Sequence, residues 1–285
     1  MKRHLLLLTF LLIGTSAATA EDPVAVAYYF PNWHRRPGQT GDRFGEWPNI
    51  PRALPRFPGH QQPKRPLWRV EDEANPAVMA KKIDTAADHE IGAFLFCWYY
   101  HEQGPYLDRA LNEGYLKAAN RARVPFALMW ANHDVGGSTG RKGAVSREVF
   151  ERMARLIIDR YFASWDRHWK ASRLHFPNVT MGWDPTPRLR PDQPHTGKGY
   201  PDSPVVTGNT PERFRAALEQ ARDRALLLPP ERRVVTIYAW NEWTEGGYLE
   251  PEQRTGMEYL EAVRDIFGSA GVRAPPSSTL NPASP

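Results

Sequence analysis

Two glutamates, Glu242 and Glu245, lie three residues apart beside Trp240 and Trp243, directly after the apolar run Val234–Ala239. The β-branched and aromatic residues of that run and the glycine pair that begins at Gly246 predict a buried strand ending in a turn. Both carboxyl groups would then lie at the carboxyl end of the strand. Paired carboxylates are the acid and base of many sugar-cleaving enzymes, about 5 to 5.5 Å apart in retaining enzymes and about 6.5 to 9.5 Å apart in inverting ones.

The neighbouring tryptophans bear on the same chemistry. An indole beside a carboxyl group removes it from water, raises its pKa and keeps it protonated as an acid, while a better hydrated partner stays ionised. Trp240 and Trp243 flank Glu242 in this way, and indole rings also stack on the apolar face of a sugar. The segment equally fits a loop whose acids cap a helix or pair with arginines, so the carboxylate pair alone leaves both interpretations open.

Five apolar runs predict the strands that would hold such a site: Val24–Tyr29, Ala93–Tyr99, Pro125–Trp130, Val179–Trp183 and Val234–Trp240. Most are continuously apolar, which is typical of strands covered on both faces of a parallel sheet. Between and after them lie helical patterns at Asn75–Glu90, Tyr106–Ala122, Ser146–Tyr161, Pro211–Leu228 (after the cap Thr210) and Met257–Phe267. The alternation predicts an α/β fold of right-handed βαβ units.

Polar and aromatic side chains follow every predicted strand. They lie at Pro31–His34, Trp98–His101, Trp130–Asp134, Gly182–Asp184 and Asn241–Trp243. In a parallel barrel these strand ends share one rim, which is where barrel enzymes hold their active sites. We therefore expect the candidate site residues of the five segments to converge there.

The remaining segments predict the domain organisation. Residues 37–64 and 136–143 predict loops. Residues 1–20 have basic, apolar and small-residue parts in the order of a Sec signal peptide, which predicts a secreted or periplasmic protein with no membrane anchor after removal. We expect a single catalytic-type barrel domain over residues 21–273 and a disordered tail over residues 274–285.

Composition narrows the class of partner. The formal charge of +5 is scattered without a basic block, which argues against nucleic acid, whereas 10 tryptophans, 11 tyrosines and 12 phenylalanines can line a carbohydrate site. The single cysteine, Cys97, excludes an internal disulfide. No spacing among His34, His101 and His133 matches a metal motif, so we expect no metal and no cofactor. The sequence does not indicate an oligomeric state.

Six motifs resemble glycoside hydrolase family 99, the endo-α-mannosidase family, and the related WbsX-like glycosyltransferases. They are Ala27–Pro31, Phe44–Asn49, Gly92–Tyr100, Trp130–Asn132, Gly182–Arg188 and Trp240–Gly246. The motifs come in the family's order and span nearly the whole chain. The resemblance implies a (β/α)8 TIM-type barrel.

The resemblance also implies roles for individual residues. Glu242 would act as the base on the sugar's 2-hydroxyl, which attacks the anomeric carbon to form a 1,2-anhydro sugar. Glu245 would protonate the departing oxygen and then activate water. The substrate-binding candidates are Tyr29, Glu46, Trp98, Tyr100, Asn132, Asp184, Asn241 and Trp243. Tyr29 and Trp98 fit a barrel core equally well, and Glu46 also fits an ion pair with an arginine.

Alternatives remain for both fold and function. The chain between Tyr161 and Val179 is shorter than the family's pattern, so a reduced barrel competes with the eight-stranded one, with short strands at Val205-Val206 or within 162–176. The leading function is a secreted retaining glycoside hydrolase acting on a polysaccharide or glycan with α-mannoside-like linkages. A glycosyltransferase or transglycosylase in polysaccharide assembly and a non-catalytic carbohydrate-binding protein are the alternatives. The chain has no glycine-rich phosphate loop to hold a nucleotide sugar.

Overall fold

A central sheet of parallel strands organises the part of the chain that the computed structural model describes, residues 22–101, 104–131 and 176–268. The strands are β1 (Val24–Tyr29), β2 (Ile91–His101), β3 (Gly104–Tyr106), β4 (Phe126–Trp130), β5 (Asn178–Thr180), β6 (Val234–Tyr238), β7 (Asn241–Glu242) and β8 (Gly247–Tyr248). The parallel strands lie in the order β4-β2-β1-β6-β5, with β3 antiparallel to β2. β7 and β8 form a separate hairpin.

The strand order is that of a (β/α) barrel viewed as an open sheet, because the first strand lies between the second and the last. Within the described residues no pairing joins β4 to β5, and the chain that connects these two strands, residues 132–175, is not among them. The structure therefore establishes a barrel-like parallel α/β sheet without establishing closure. The predicted helix Ser146–Tyr161, the predicted signal peptide over 1–20 and the predicted tail over 274–285 also lie outside the described residues.

Four α-helices belong to the described chain: α1 (Asn49–Arg52), α2 (Pro76–Asp88), α3 (Pro211–Leu226) and α4 (Glu258–Phe267). The capping signals in the sequence are confirmed. Asn75 accepts a hydrogen bond from the Ala77 amide, and Thr210 accepts one from the Arg213 amide. A side-chain cap and a proline at the first helical position fix where α2 and α3 begin.

Two predictions of regular structure are wrong. The segment 106–122 is not one α-helix but a π turn at Ala110–Gly114 followed by 3-10 turns at Tyr115–Lys117 and Arg121–Arg123. Gly114 lies directly against the Glu73 backbone, where an added Cβ would be 1.9 Å from the carbonyl oxygen, so tertiary packing overrides helical propensity there. The Val205-Val206 pair is not a strand.

The main core lies between the sheet and its helices. The small side chains of Ala25 and Ala27 on β1 leave room for Met79 and Ile83 of α2, all of them fully buried. Leu260 of α4 belongs to the same cluster. Burial of each large apolar side chain contributes about 1.5 to 3 kcal/mol, so this layer holds the sheet rigid.

Strand alternation divides the aromatic residues between this core and the opposite face of the sheet. Tyr29 on β1 and Phe96 on β2 stack inside the core, with ring centroids 4.3 Å apart. Phe30 and Tyr99, each an odd number of positions further along the chain, belong to a second cluster around Trp243. Successive side chains of a strand point to opposite faces, so the register decides which aromatic residues can reach a ligand.

Candidate active site

A tight hairpin carries both glutamates. β7 pairs with β8 in the register Asn241 to Tyr248 and Glu242 to Gly247, and a 3-10 turn over 243–245 connects them. The turn closes at Gly246, whose φ of 72° is the left-handed conformation that glycine tolerates. A Cβ at Gly246 would lie 3.0 Å from the Asp184 backbone nitrogen, so both shape and conformation require glycine.

One guanidinium connects three carboxylates at this hairpin. Arg188 binds both oxygens of Glu46, with Nε to Oε2 at 3.0 Å and Nη2 to Oε1 at 3.1 Å. Its Nη2 also donates to Glu242 Oε1 at 3.1 Å, and its Nη1 donates to Glu245. The two hairpin carboxyl groups therefore lie within the span of a single guanidinium. The fork geometry of arginine suits such multiple contacts.

The Glu46 carboxylate comes from a distant loop. Gly45, with a φ of 54°, packs so closely on the Asn32 carbonyl that a Cβ would be 2.0 Å from its oxygen, and the Glu46 amide donates to that carbonyl at 3.2 Å. The Thr244 hydroxyl lies against both Glu46 and Glu242, 3.0 Å from Glu242 Oε1. Its single proton can serve only one of them at a time.

Two tyrosines donate to Glu245. Tyr200 donates to Oε1 at 2.7 Å, and Tyr238 donates to Oε2. Trp183 lies beside both, with ring centroids 6.4 Å from Tyr200 and 6.3 Å from Tyr238, and Tyr28 is 6.3 Å from Tyr238 on the other side. This row of partly exposed rings beside a carboxylate offers the apolar surface on which a sugar ring can stack.

Electrostatics distinguish Glu242 from an ordinary surface acid. Burial raises the pKa of Glu242 well above its usual range; the Arg188 charge opposes this shift, and the charges of Glu245 and Glu46 add to it. A carboxylate of raised pKa is a stronger base when ionised. Burial alone would lower the pKa of Arg188, but the Glu242, Glu46 and Glu245 charges together raise it, so the guanidinium stays charged.

The structure thus brings three of the predicted site residues together: Glu46, Glu242 and Glu245. Asp184 lies close by, but its oxygens are occupied by protein donors. His60 Nε2 lies 2.8 Å from Oδ2, and Thr186 Oγ1 donates to Oδ1 at 2.6 Å. Asp184 also donates its backbone amide to the Glu245 carbonyl at 2.6 Å, so its contacts support the hairpin.

Arg188 and the three carboxylates that it binds, Glu46, Glu242 and Glu245, are called the Arg188 cluster below. Asn241 and Trp243 turn away from this cluster. The side-chain amide of Asn241 accepts a hydrogen bond from the Phe30 backbone N–H at 2.8 Å and donates to the Phe30 carbonyl at 2.9 Å. It also donates to Glu73 Oε1 at 2.9 Å. The Trp243 indole donates to Glu250 Oε2 at 2.7 Å. Both side chains are fully buried, so a sugar cannot stack on Trp243 in this structure.

Tyr29 and Trp98 pack against the helix-covered core, and Tyr100 shares the Trp98 face by strand alternation. The neighbouring residues face the carboxylates instead. The pKa of Cys97 is raised to about 12 by burial and by the Glu242 and Glu245 charges. The predicted candidate Asn132 lies outside the described residues.

Sequence reasoning missed the groups that bind the carboxylates, which are Arg188, Thr244, Tyr200 and Tyr238. It also missed Tyr28, which lies beside the Tyr238 ring, and Tyr99, whose pKa is raised by burial and by the nearby Glu242 and Glu46 charges. Arg188 ends the Gly182–Arg188 motif, and Thr244 lies between the two glutamates. Both residues were therefore part of quoted motifs, but neither was assigned a role. Successive residues of a strand point to opposite faces, so assigning each residue of β1 and β2 to a face would have moved each aromatic candidate by one residue. Tyr200 lies in an irregular loop, where no alternation of faces indicates the direction of a side chain.

Within residues 22–101, 104–131 and 176–268, no group of three or more His, Cys, Asp or Glu side chains is arranged to hold a metal ion. In that same part of the chain, no helix combines the length and apolar character needed to cross a bilayer.

The fold and the site together define the class of this protein: a barrel-like parallel α/β protein with a carboxylate pair at its strand ends. A family model described as glycosyltransferase WbsX matches residues 25–141 and 141–263. The chain belongs to this family.

Two curated relatives are both named uncharacterized protein WxcX, from two strains of Xanthomonas campestris pv. campestris. Each is 25% identical over 355 residues, with 89% of this chain and 50% of the relative covered. The chain therefore spans about half the length of these relatives.

Two solved structures share the fold. One is the GH99 endo-alpha-mannosidase from Bacteroides thetaiotaomicron in complex with bis-tris-propane, at 12% identity and a TM-score of 0.52, covering 85% of this chain and 95% of that one. The other is a glycoside hydrolase-like protein at 14% identity and a TM-score of 0.51, covering 87% and 94%. At such identities the likeness concerns the fold alone, and it agrees with the predicted family resemblance.

Proposed function

We propose that this protein is a retaining glycoside hydrolase that cleaves a polysaccharide or glycan at α-mannoside-like linkages. The observation that carries the proposal is the placement of Glu242 and Glu245 on one guanidinium, in a hairpin that follows β6. The fold likeness to a GH99 endo-alpha-mannosidase supports the choice of reaction. The proposal includes a (β/α) barrel that continues beyond the five described parallel strands.

The proposed reaction has two balanced steps. In the first, Glu242 takes the proton of the sugar 2-hydroxyl, O2 bonds to C1, and the C1 bond to the leaving oxygen breaks as Glu245 protonates that oxygen. In the second, Glu245 takes a proton from water, the water oxygen bonds to C1, and the C1 bond to O2 breaks as Glu242 returns the proton. Two displacements at C1 retain its configuration.

The surroundings of Glu242 suit the role of a base, and Glu245 is held in place by its neighbours. The 2-hydroxyl of a sugar is a very weak acid, and the buried Glu242 with its raised pKa is a strong base once ionised. Arg188 beside it stabilises the ionised form. Burial and the Glu242 and Glu245 charges raise the pKa of Tyr238, so its hydroxyl remains a donor that orients Glu245.

A transferase is the second candidate, because the matched family is described as a glycosyltransferase. A transglycosylase would use the same two carboxylates and replace water with a sugar hydroxyl. Export, which we propose from residues 1–20, disfavours a cytoplasmic nucleotide-sugar donor. A carbohydrate-binding protein without turnover is the third candidate.

Reducing-end release from mannans, heteropolysaccharides and capsular polysaccharides tests the proposal. We expect release by the mature protein and a fall of about 10²- to 10⁴-fold in Glu242→Gln and Glu245→Gln, since each removes one acid or base. Glu258→Gln, a glutamate at the start of α4 outside the cluster, is the matched control.

Each contrary result points to another function. Consumption of a nucleotide sugar would support the transferase, and products longer than the substrate would support the transglycosylase. Glycan binding by a folded protein with no release from any substrate would support the binding protein.

A further inference from the structure

A second group of charged side chains is sealed beneath the hairpin. Lys82 of α2 lies between two carboxylates, with its Nζ 2.6 Å from Glu73 Oε1 and 2.5 Å from Glu250 Oε1. None of the three side chains is more than 3% exposed. These three residues, called the Lys82 triad below, lie apart from the Arg188 cluster and have no part in the proposed reaction.

The triad is connected to both chain neighbours of Glu242. Glu73 Oε1 accepts the Asn241 amide at 2.9 Å, and Glu250 Oε2 accepts the Trp243 indole at 2.7 Å. Asn241 also bonds both backbone groups of Phe30, at the end of β1. The residue before Glu242 and the residue after it are thus each held by one carboxylate of the same buried ion pair network.

We propose that the Lys82 triad holds Glu242 in its working position through Asn241 and Trp243. The three members are positioning residues. For its catalytic readout this inference rests on the proposed hydrolase function.

Charge balance explains why the lysine is needed. Two carboxylates share the one ammonium in a buried site, and like charges on both sides of one ammonium repel strongly in a low dielectric. Burial raises the pKa of Glu73 to about 7; the Lys82 charge opposes that shift, and the Glu250 charge adds to it. Without the ammonium, the carboxyl groups would take up protons or move apart, and Asn241 and Trp243 would lose their fixed acceptors.

The experiment compares Lys82→Met with Lys81→Met. The two lysines are adjacent on α2, but Lys81 pairs with Glu71, lies over the Trp68 ring and has a side chain that is 39% exposed. We expect Lys82→Met to lower kcat on the order of 10²-fold with KM unchanged, because a small displacement of a catalytic group has that effect. We expect Lys81→Met to match the wild type.

Amide hydrogen exchange supplies a readout that does not depend on turnover. In Lys82→Met the amides of 240–248 should exchange faster, while those of β1 and β6 keep their wild-type protection. If wild-type protein hydrolyses no glycan, the proposed function fails, and the exchange result alone decides the positioning role.

Trp243→Phe keeps an aromatic ring and removes the N–H that Glu250 accepts, so it serves if Lys82→Met does not fold. It should reproduce both effects in weaker form. A folded Lys82→Met whose kcat and hairpin exchange equal those of Lys81→Met overturns the inference. So does a Trp243→Phe protein with wild-type values of both, where Lys82→Met is unfolded.

Discussion

Two clusters of carboxylates, each around its own cation, contact the same hairpin and differ in their access to solvent. Glu242 and Glu245 belong to the Arg188 cluster, and Thr244 contacts it. The charged side chains of this cluster are 6 to 16% exposed. Asn241 and Trp243, the two chain neighbours of Glu242, contact the Lys82 triad, whose side chains are 0 to 3% exposed. Neighbouring residues of the hairpin thus contact different clusters.

The choice of cation fits this difference. The planar fork of Arg188 reaches three carboxylates at once, and one of them, Glu245, lies beside the partly exposed rings of Tyr200 and Tyr238. The compact ammonium of Lys82 fills a closed site between two carboxylates. The comparison shows that similar charges can build either a partly exposed cluster, which we propose is reactive, or a sealed one, which we propose is a support.

The largest expected difference in stability is between two adjacent lysines. Lys82→Met leaves two buried carboxylates without their counterion and should lower the free energy of unfolding by about 3 to 5 kcal/mol. Lys81→Met removes a half-exposed pair and should cost less than about 1 kcal/mol. Urea denaturation of both variants measures this. Equal losses would show that the triad is not a sealed support.

The Lys82 triad should contribute to the pH dependence of stability through Glu73. The pKa of Glu73 is raised by burial from 4.5 to about 7, so its contribution is fully present below pH 4.5 and is lost as the pH rises through about 7. Between these values the loss is about 3 kcal/mol. In Glu73→Gln this part of the slope should disappear. An unchanged slope in urea denaturation at pH 4.5 and 7.5 would place the titrating group elsewhere.

A third comparison concerns the rate profile of the proposed hydrolase. Arg188→Met removes the charge that opposes the raised pKa of Glu242, so that pKa should rise further. Because Glu242 is the proposed base, the acidic limb of kcat/KM should move to higher pH, and a limb that moves by about one pH unit lowers the rate there about tenfold. Lys82→Met should lower the profile without moving this limb as far. An acidic limb at the wild-type position in Arg188→Met would contradict the assigned role.

The smallest expected effect belongs to Thr244, which lies between Glu46 and Glu242. Thr244→Val keeps the shape and removes one hydroxyl, which is worth about 0.5 to 1.5 kcal/mol. We expect kcat/KM to fall by the factor that corresponds to this free energy. The free energy of unfolding should change by a smaller amount. A loss confined to stability would assign Thr244 to the support and not to the reactive cluster.

The sequence predicted much of this arrangement. Apolar runs and helix caps identified the five parallel strands, α2, α3 and α4, and the motif around Glu242 placed the carboxylate pair after the last strand. The aromatic candidates Tyr29 and Trp98 were assigned without regard to alternation, although the faces of β1 and β2 decide which rings reach the site. A continuously apolar strand gives no polar residue from which to read its register.

The Lys82 triad had a signal in the sequence that the motifs did not include. Met79, Ile83 and Ala86 form the buried stripe of α2, and Lys82 lies on that stripe, whereas Lys81 does not. A charged residue at an apolar position of a helix predicts a buried partner, but the sequence does not say which one. Glu73 and Glu250 are 9 and 168 residues away from it, and only the fold brings them to the same ammonium.

The hairpin's attachment to β1 has a consequence for how the protein folds. The amide of Asn241 bonds the backbone of Phe30, 211 residues earlier, and Arg188 binds Glu46 across 142 residues. Contacts between such distant segments form late, because the chain entropy lost in closing long loops precedes any reward from the contact. The hairpin is therefore fixed to Phe30 only after the first and last parallel strands have met, and a nascent chain stalled before β6 has Glu46 and Arg188 but neither hairpin glutamate.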